Sequence, residues 1–383
     1  MNIHTLLRIA RVATTCTVLF ISSDASAQTK SSPKTNVVIS EVTSLTTTFC
    51  IGRYALDFPV GSRISGGNYI YKFTRLEKPE QISLQSFEAA IAEKEKALKA
   101  MKHEIEPSLL RLSLRPDTHS HILVFWEEDF TEAIAEVEGY RWIDGIRFVI
   151  KGRAGMSKPS HGTISRQDIV INRMREILAH LRPRSDGEIP SEPGYCFEGG
   201  FISSPKWGNE EAGIDIDIAG HPDAFISVWF YPLAMSKHDR PLLERMSGVL
   251  QSLGRLATSV RVLRSGNRQV GPYRGQEHLA TAPNSGGMRG HSFIWETEGE
   301  GTLDTPALKI ELTTGHRDKS GNPQKTKLTD EQAMKLWDEV LNSFRVRPTA
   351  SPEKLLHRDP PAVMPQPAET PQSGVAHPAE SAS

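Results

Sequence analysis

The segment Gly194-Tyr195-Cys196-Phe197-Glu198-Gly199-Gly200 repeats, midway along the chain, a pattern first met as Thr48-Phe49-Cys50-Ile51-Gly52-Arg53-Tyr54. Each is an aromatic–Cys–apolar run with strand character that leads into glycine. Outward from each copy, the same order of elements follows. A helix is predicted over about residues 84–103, with Phe87, Ile91, Leu98 and Met101 on one face. Its counterpart covers about residues 240–257, with Leu243, Met246, Leu250 and Leu253. Strand-like alternation comes next, at 109–114 in the first half and 259–263 in the second. Then His121-Ile122-Leu123-Val124-Phe125-Trp126-Glu127 parallels His291-Ser292-Phe293-Ile294-Trp295-Glu296, with Trp126 and Trp295 as paired landmarks. Another strand, 146–151 or 308–313, precedes a closing helix at 165–181 or 329–344. Thr329 with Gln332 three residues on is a capping box. Each closing helix leaves through a basic segment with proline, Leu181-Arg182-Pro183-Arg184 and Phe344-Arg345-Val346-Arg347-Pro348.

This order predicts an α+β fold of two related domains, each an antiparallel or mixed β-sheet packed with two helices. The N-terminal domain is expected at 45–184 and the C-terminal domain at 194–347. The linker 185–193, with two prolines and three acids, reads as short and fairly stiff. Residues 1–27 read as a secretory signal peptide: Arg8 and Arg11, an apolar stretch at 12–21, then Ala25-Ser26-Ala27. That stretch is half the roughly 20 residues a membrane-spanning helix requires. Cleavage after Ala27 predicts export to the periplasm. Cys16 precedes most of the apolar stretch, which argues against lipid attachment there. Residues 28–44 form a polar, flexible lead-in. Residues 348–383 hold eight prolines and read as a disordered tail, too poor in apolar surface to offset the entropy of ordering.

The formal charge of the chain is −1, and removal of Arg8, Arg11 and Asp24 with the signal leaves −2. A nearly neutral chain carries no electrostatic footprint for nucleic acid. No second long apolar run follows the signal, so the mature protein is expected not to be membrane-integral. No G-x-S-x-G elbow, P-loop or G-x-G-x-x-G is present, and no catalytic or cofactor-binding residue and no cofactor is assigned. Asp117-Thr118-His119-Ser120-His121 is the most metal-like run, because His119 and His121 would share one face of a strand. Pro116 marks a turn there and no third ligand accompanies it, so the run reads as a solvated turn entering a strand, with no metal site. Gly220-His221-Pro222-Asp223 and His316-Arg317-Asp318 read as turns. Five of the six tryptophans fall at core-facing spacing. Trp207 lies in a polar stretch and reads as either an interface anchor or a lid on the core.

Together these features resemble a known family. They are Thr47-x-x-Cys50-x-Gly52-Arg53-Tyr54 entering Leu56-Asp57-Phe58-Pro59, a Glu/Lys-rich helix, and the linker with Pro193-Gly194-Tyr195-Cys196. Gly220-His221-Pro222-Asp223 and Arg289-Gly290-His291-Ser292-Phe293-Ile294-Trp295-Glu296 follow. The chain resembles the immunity proteins of type VI secretion lipase effectors, the Tli proteins of the fourth class, over about residues 50–348. The resemblance implies a two-domain periplasmic immunity protein, not an enzyme, that clamps its cognate phospholipase or lipase effector between the domains. It carries over no contact residue, so the partner-binding residues stay unknown. The alternatives are a periplasmic scaffold or ligand-binding module, or an unrecognised hydrolase. Cys50 and Cys196 open the two copies, and related domains could bring them together as a disulfide; two separately buried thiols is the other reading.

Overall fold

Most strands are apolar on one face. In Glu210–Asp217 the buried residues alternate, with Ala212, Ile214 and Ile216 turned inward. Ala307–Thr314 shows the same period of two through Leu308, Ile310 and Leu312. The computed structural model describes residues 46–347, apart from 157–164, 186, 206, 232–239, 253, 284–286, 303–304 and 317–319. The signal peptide, the lead-in and the Pro-rich tail lie outside the described residues.

The first half runs β1 (Thr46–Ile51), β2 (Tyr54–Pro59), β3 (Arg63–Tyr71), β4 (Thr74–Leu76), β5 (Glu80–Gln81), α1 (Leu84–Ala100), β6 (Leu110–Asp117), β7 (Ser120–Trp126), β8 (Ile134–Ile143), β9 (Ile146–Gly155), α2 (Arg166–His180) and β10 (Leu181–Pro183). The second runs β11 (Gly194–Phe197), β12 (Gly200–Ser203), β13 (Glu210–Asp217), β14 (Ala224–Tyr231), α3 (Leu242–Ser252), a 3-10 helix at Gly254–Ser259, β15 (Arg261–Val270), β16 (Tyr273–Pro283), β17 (Arg289–Thr297), β18 (Ala307–Thr314), α4 (Asp330–Ser343) and β19 (Arg345–Val346).

Both halves are antiparallel sheets with helices, yet their sheets are one. The large sheet is ordered β15-β16-β17-β18-β14-β13-β3-β4-β9-β8-β7-β6, with β5 on β9. Read from either end, each strand meets its counterpart from the other half. The halves join where β13 pairs antiparallel with β3, with a bulge between Asp215 and Ile216. Two small sheets carry an exchange. β19, which ends the second half, pairs with β2 of the first. β10, which ends the first half, pairs with β12 of the second. One apolar core runs through both halves, from Phe49 and Trp126 to Trp295, Trp337 and Phe344. Burial of each such side chain stabilises by roughly 1.5–3 kcal/mol.

Opposite faces of β7 bury different neighbours. Ile122 and Val124 enter the main core, whereas Leu123 meets Phe87, Ile91 and Leu98 of α1. On the main-core face, a Cβ built on Gly139 would lie 2.4 Å from Met174 Sδ, so only glycine lets α2 approach β8 this closely.

Several sequence expectations shift. The first helix ends at Ala100, with Met101 as its C-cap. The expected 240–257 helix is broken: Gly254, at φ 53°, follows α3 and opens a tighter 3-10 turn. Trp126 and Trp295 are not positional counterparts. Trp126 lies on the second strand of its four-stranded meander and Trp295 on the third. Both strands are covered on the same core side, and that shared demand produces similar composition at non-equivalent places.

Candidate functional site

The residues singled out at the two repeated segments meet at the seam between the halves. Gly52 and Cys196 exchange backbone hydrogen bonds of 2.8 Å in both directions. Gly52 sits at φ +57°, the left-handed region that suits glycine, with the Tyr195 ring against it. Cys50 and Cys196 are joined by a disulfide, buried beside Phe201.

Arg53, next to the bridge, is almost wholly buried. Its guanidinium donates bidentately to Glu210 at 2.9 and 2.8 Å and to the Ser204 carbonyl at 3.0 Å. It also lies over the Trp207 ring, 4.8 Å from the centroid. Trp207 is therefore a lid on the core and a partner of Arg53, half-buried among core residues. Burial pushes the Glu210 carboxyl above the usual carboxylate range, against the pull of Arg53. Burial also pushes the nearby Tyr71 hydroxyl up to about 12.

The basic exits of the closing helices turn inward as well. Arg347 donates from its backbone to the Arg53 carbonyl at 3.0 Å and from its side chain to the carbonyls of Pro190 and Gly194. Burial, with Arg53 close by, lowers it to about 10. Arg184 binds the carbonyls of Phe197 and Glu188, each at 3.0 Å. Thus the 185–193 linker and the hairpins it joins are held by buried guanidinium groups that satisfy backbone acceptors.

The His-rich run does not assemble. His121 is buried against Phe87 and reaches Glu88 at 3.3 Å, whereas His119 is exposed beside Trp142. Asp117 accepts from the His119 backbone and the Ser120 hydroxyl, closing the β6–β7 turn. Asp223, in Gly220-His221-Pro222-Asp223, is buried and accepts from the backbone of Gly315 and Lys327. Among the described residues, no three His, Cys, Asp or Glu are grouped to hold a metal, and no helix is long and apolar enough to cross a membrane. An open depression of about 670 Å³ between the start of α3 and the β15–β17 strands is lined by charges of both signs, including Arg268, Arg274, Glu296 and Glu298.

The surface carries a second kind of feature. Phe73, Ile105, Phe130 and Met101 are large apolar side chains more than half exposed. Sequence reasoning passed over all of them except Met101, which it placed on the buried face of α1. Phe73 carried no turn signal, since Tyr71-Lys72-Phe73-Thr74 contains no glycine, asparagine, aspartate or proline.

The chain matches two family models in tandem. Residues 47–184 match the N-terminal domain of Tle cognate immunity protein 4, and residues 188–349 match its C-terminal domain. Among solved structures, it is similar to the apo immunity protein TplEi of the T6SS from Pseudomonas aeruginosa. The TM-score is 0.67 and the identity 25%, over 79% of this chain and 98% of that one. It is similar also to a crystal structure of a Tle4–Tli4 complex, with a TM-score of 0.68 and 25% identity over the same shares. TplEi complexed with "L" peptide shares the fold at a TM-score of 0.63 and 24% identity, over 79% of this chain and 99% of that one. No curated protein sequence matches the chain.

Proposed function

The chain belongs to the family of Tle cognate immunity protein 4, and from that premise we propose that it binds and neutralises a type VI secretion phospholipase or lipase effector in the periplasm, clamping it between its two domains. The observation that carries this reading is the tandem match of both family domains over one continuous fold, similar to a chain solved in a Tle4–Tli4 complex. Members of this family are immunity proteins, not enzymes.

Inhibition by binding needs a shaped, rigid surface and no nucleophile. The seam supports that requirement, because a disulfide, a buried ion pair and two exchanged strands fix the halves before any partner arrives. Such preorganisation lowers the entropy lost on association. The signal peptide expected from the sequence at 1–27, with its A-x-A pattern ending at Ala27, supports a periplasmic location, where a toxin aimed at membrane lipid would be met.

The test uses the mature protein, the purified Tle4-type effector of the same bacterium, and cells that express that effector in the periplasm. A stable complex burying at least about 1,000 Å² is expected, with protection of the cells. Absence of both a complex and protection sinks the proposal.

A further inference from the structure

The turn between β3 and β4 is two residues long, with Tyr71 paired to Thr74 across it. Its residues, Lys72 and Phe73, both lie in the left-handed region, at φ 50° and 63°. Turns of this kind favour Asn-Gly, because a side chain bearing a Cβ, above all a bulky one, is strained there. The surroundings hold the strained form. The Lys72 backbone donates to the Asn209 carbonyl at 2.6 Å, its ammonium pairs with Glu176 of α2 at 2.6 Å, and Thr74 closes onto the Tyr71 carbonyl at 2.6 Å. Yet the strained Phe73 is not packed inside: it is 67% exposed. Most of this strained aromatic faces solvent in the free protein, and strained residues cluster at functional sites.

Two further observations say what would cover this ring. The Arg173 guanidinium of α2 lies over it, 5.3 Å from the centroid; the neighbouring carboxylate, Glu176, acts on Arg173 through space while its ion pair is made with Lys72. Ile169, one helical turn away on the same face, is 45% exposed. The turn also stands at the end of the β3–β13 pair, where Tyr71 faces Glu210 and the halves join.

We infer that Phe73, backed by Arg173 and Ile169, is an anchor for the effector, inserting into an apolar recess bordered by carboxylates on that protein. The inference rests on the immunity reading above and deepens it. Aromatic residues, phenylalanine among them, and arginine are enriched at protein–protein interfaces, and the strained turn presents the ring already oriented.

The test measures affinity for the purified Tle4-type effector, together with the thermal midpoint, for the mature chain and three variants. Phe73→Gly and Phe73→Asn suit the left-handed turn, so each should leave the midpoint unchanged or raise it while weakening binding at least tenfold. Phe73→Tyr should bind within a few-fold of the parent. Affinity of Phe73→Gly within twofold of the parent overturns the inference and leaves the immunity reading standing. A midpoint that falls by several degrees in both the Gly and Asn variants also overturns it, since Phe73 would then serve the fold. A parent chain that forms no complex sinks both readings.

Discussion

Arg53 and Glu210 illustrate how much a single pair can decide. Their side chains are 1% and 2% exposed, and they stand 157 residues apart in sequence. Removing one partner from such a pair leaves a buried charge without compensation, which costs about 3–5 kcal/mol. Arg53→Ala should therefore lower the unfolding free energy by that amount, read from urea unfolding followed by circular dichroism. Arg53→Met combined with Glu210→Leu should recover most of the loss, because apolar residues of similar volume replace both charges. Arg53 was visible in the sequence as part of Gly52-Arg53-Tyr54, but its role was not. The pattern around Glu210 reads only as a polar strand start, and nothing local announces that its carboxylate faces inward.

At the scale of elements, local signals carried far. The predicted capping box at Thr329 and Gln332 is present in both directions, opening α4 where expected. What α4 packs against was not legible. Asp338 of α4 binds Arg264 and Arg268 of the edge strand β15, and the same arginines hold the buried Glu277, which also accepts from Trp337. Desolvation alone would raise the Asp338 carboxyl, but hydrogen bonds from Arg264 and Arg268 hold it below the usual range. A depressed folded value means that its stabilising effect is complete above the unfolded value of about 3.9. The effect is lost as pH falls through the lower folded value. Urea midpoints should accordingly drop below about pH 4, and Asp338→Asn should start from a lower midpoint at neutral pH and lose less on acidification. A variant with the parent's pH slope would show that this tie between helix and edge strand does not contribute. The same arginines blunt an exposed sheet edge, which would otherwise invite pairing with another chain.

For the whole molecule, the repeated segments turn out to fasten the copies to each other. Each half lends a closing strand to the other's opening hairpin, and the disulfide spans 146 residues across the seam. On a chain-entropy account, a cross-link of that span stabilises by about 5 kcal/mol at 25 °C. Replacing both cysteines by alanine should lower the unfolding free energy by several kcal/mol, measured by urea unfolding, and reductant should lower it in the parent but not in the variant. Equal stability of parent and variant would mean that the exchanged strands and the Arg53 pair alone set the seam.

The sequence by itself determined the α+β class, the duplication and the helix starts, because these rest on short-range physics: periods of two and 3.6, caps, glycine and proline. It also carried the family pattern. Only the tertiary structure decided that the two sheets are one, that the closing strands are exchanged, and that Arg53, Arg184 and Arg347 point inward. These depend on pairings across 150 or so residues that no local pattern encodes. The joining strand β3 shows why: Ser65-Gly66-Gly67-Asn68 has almost no alternation to read, and its register comes from β13. The exposed Phe73 belongs to both accounts, since its residue type is written in the sequence but its left-handed, outward setting is seen only in the folded β3–β4 turn.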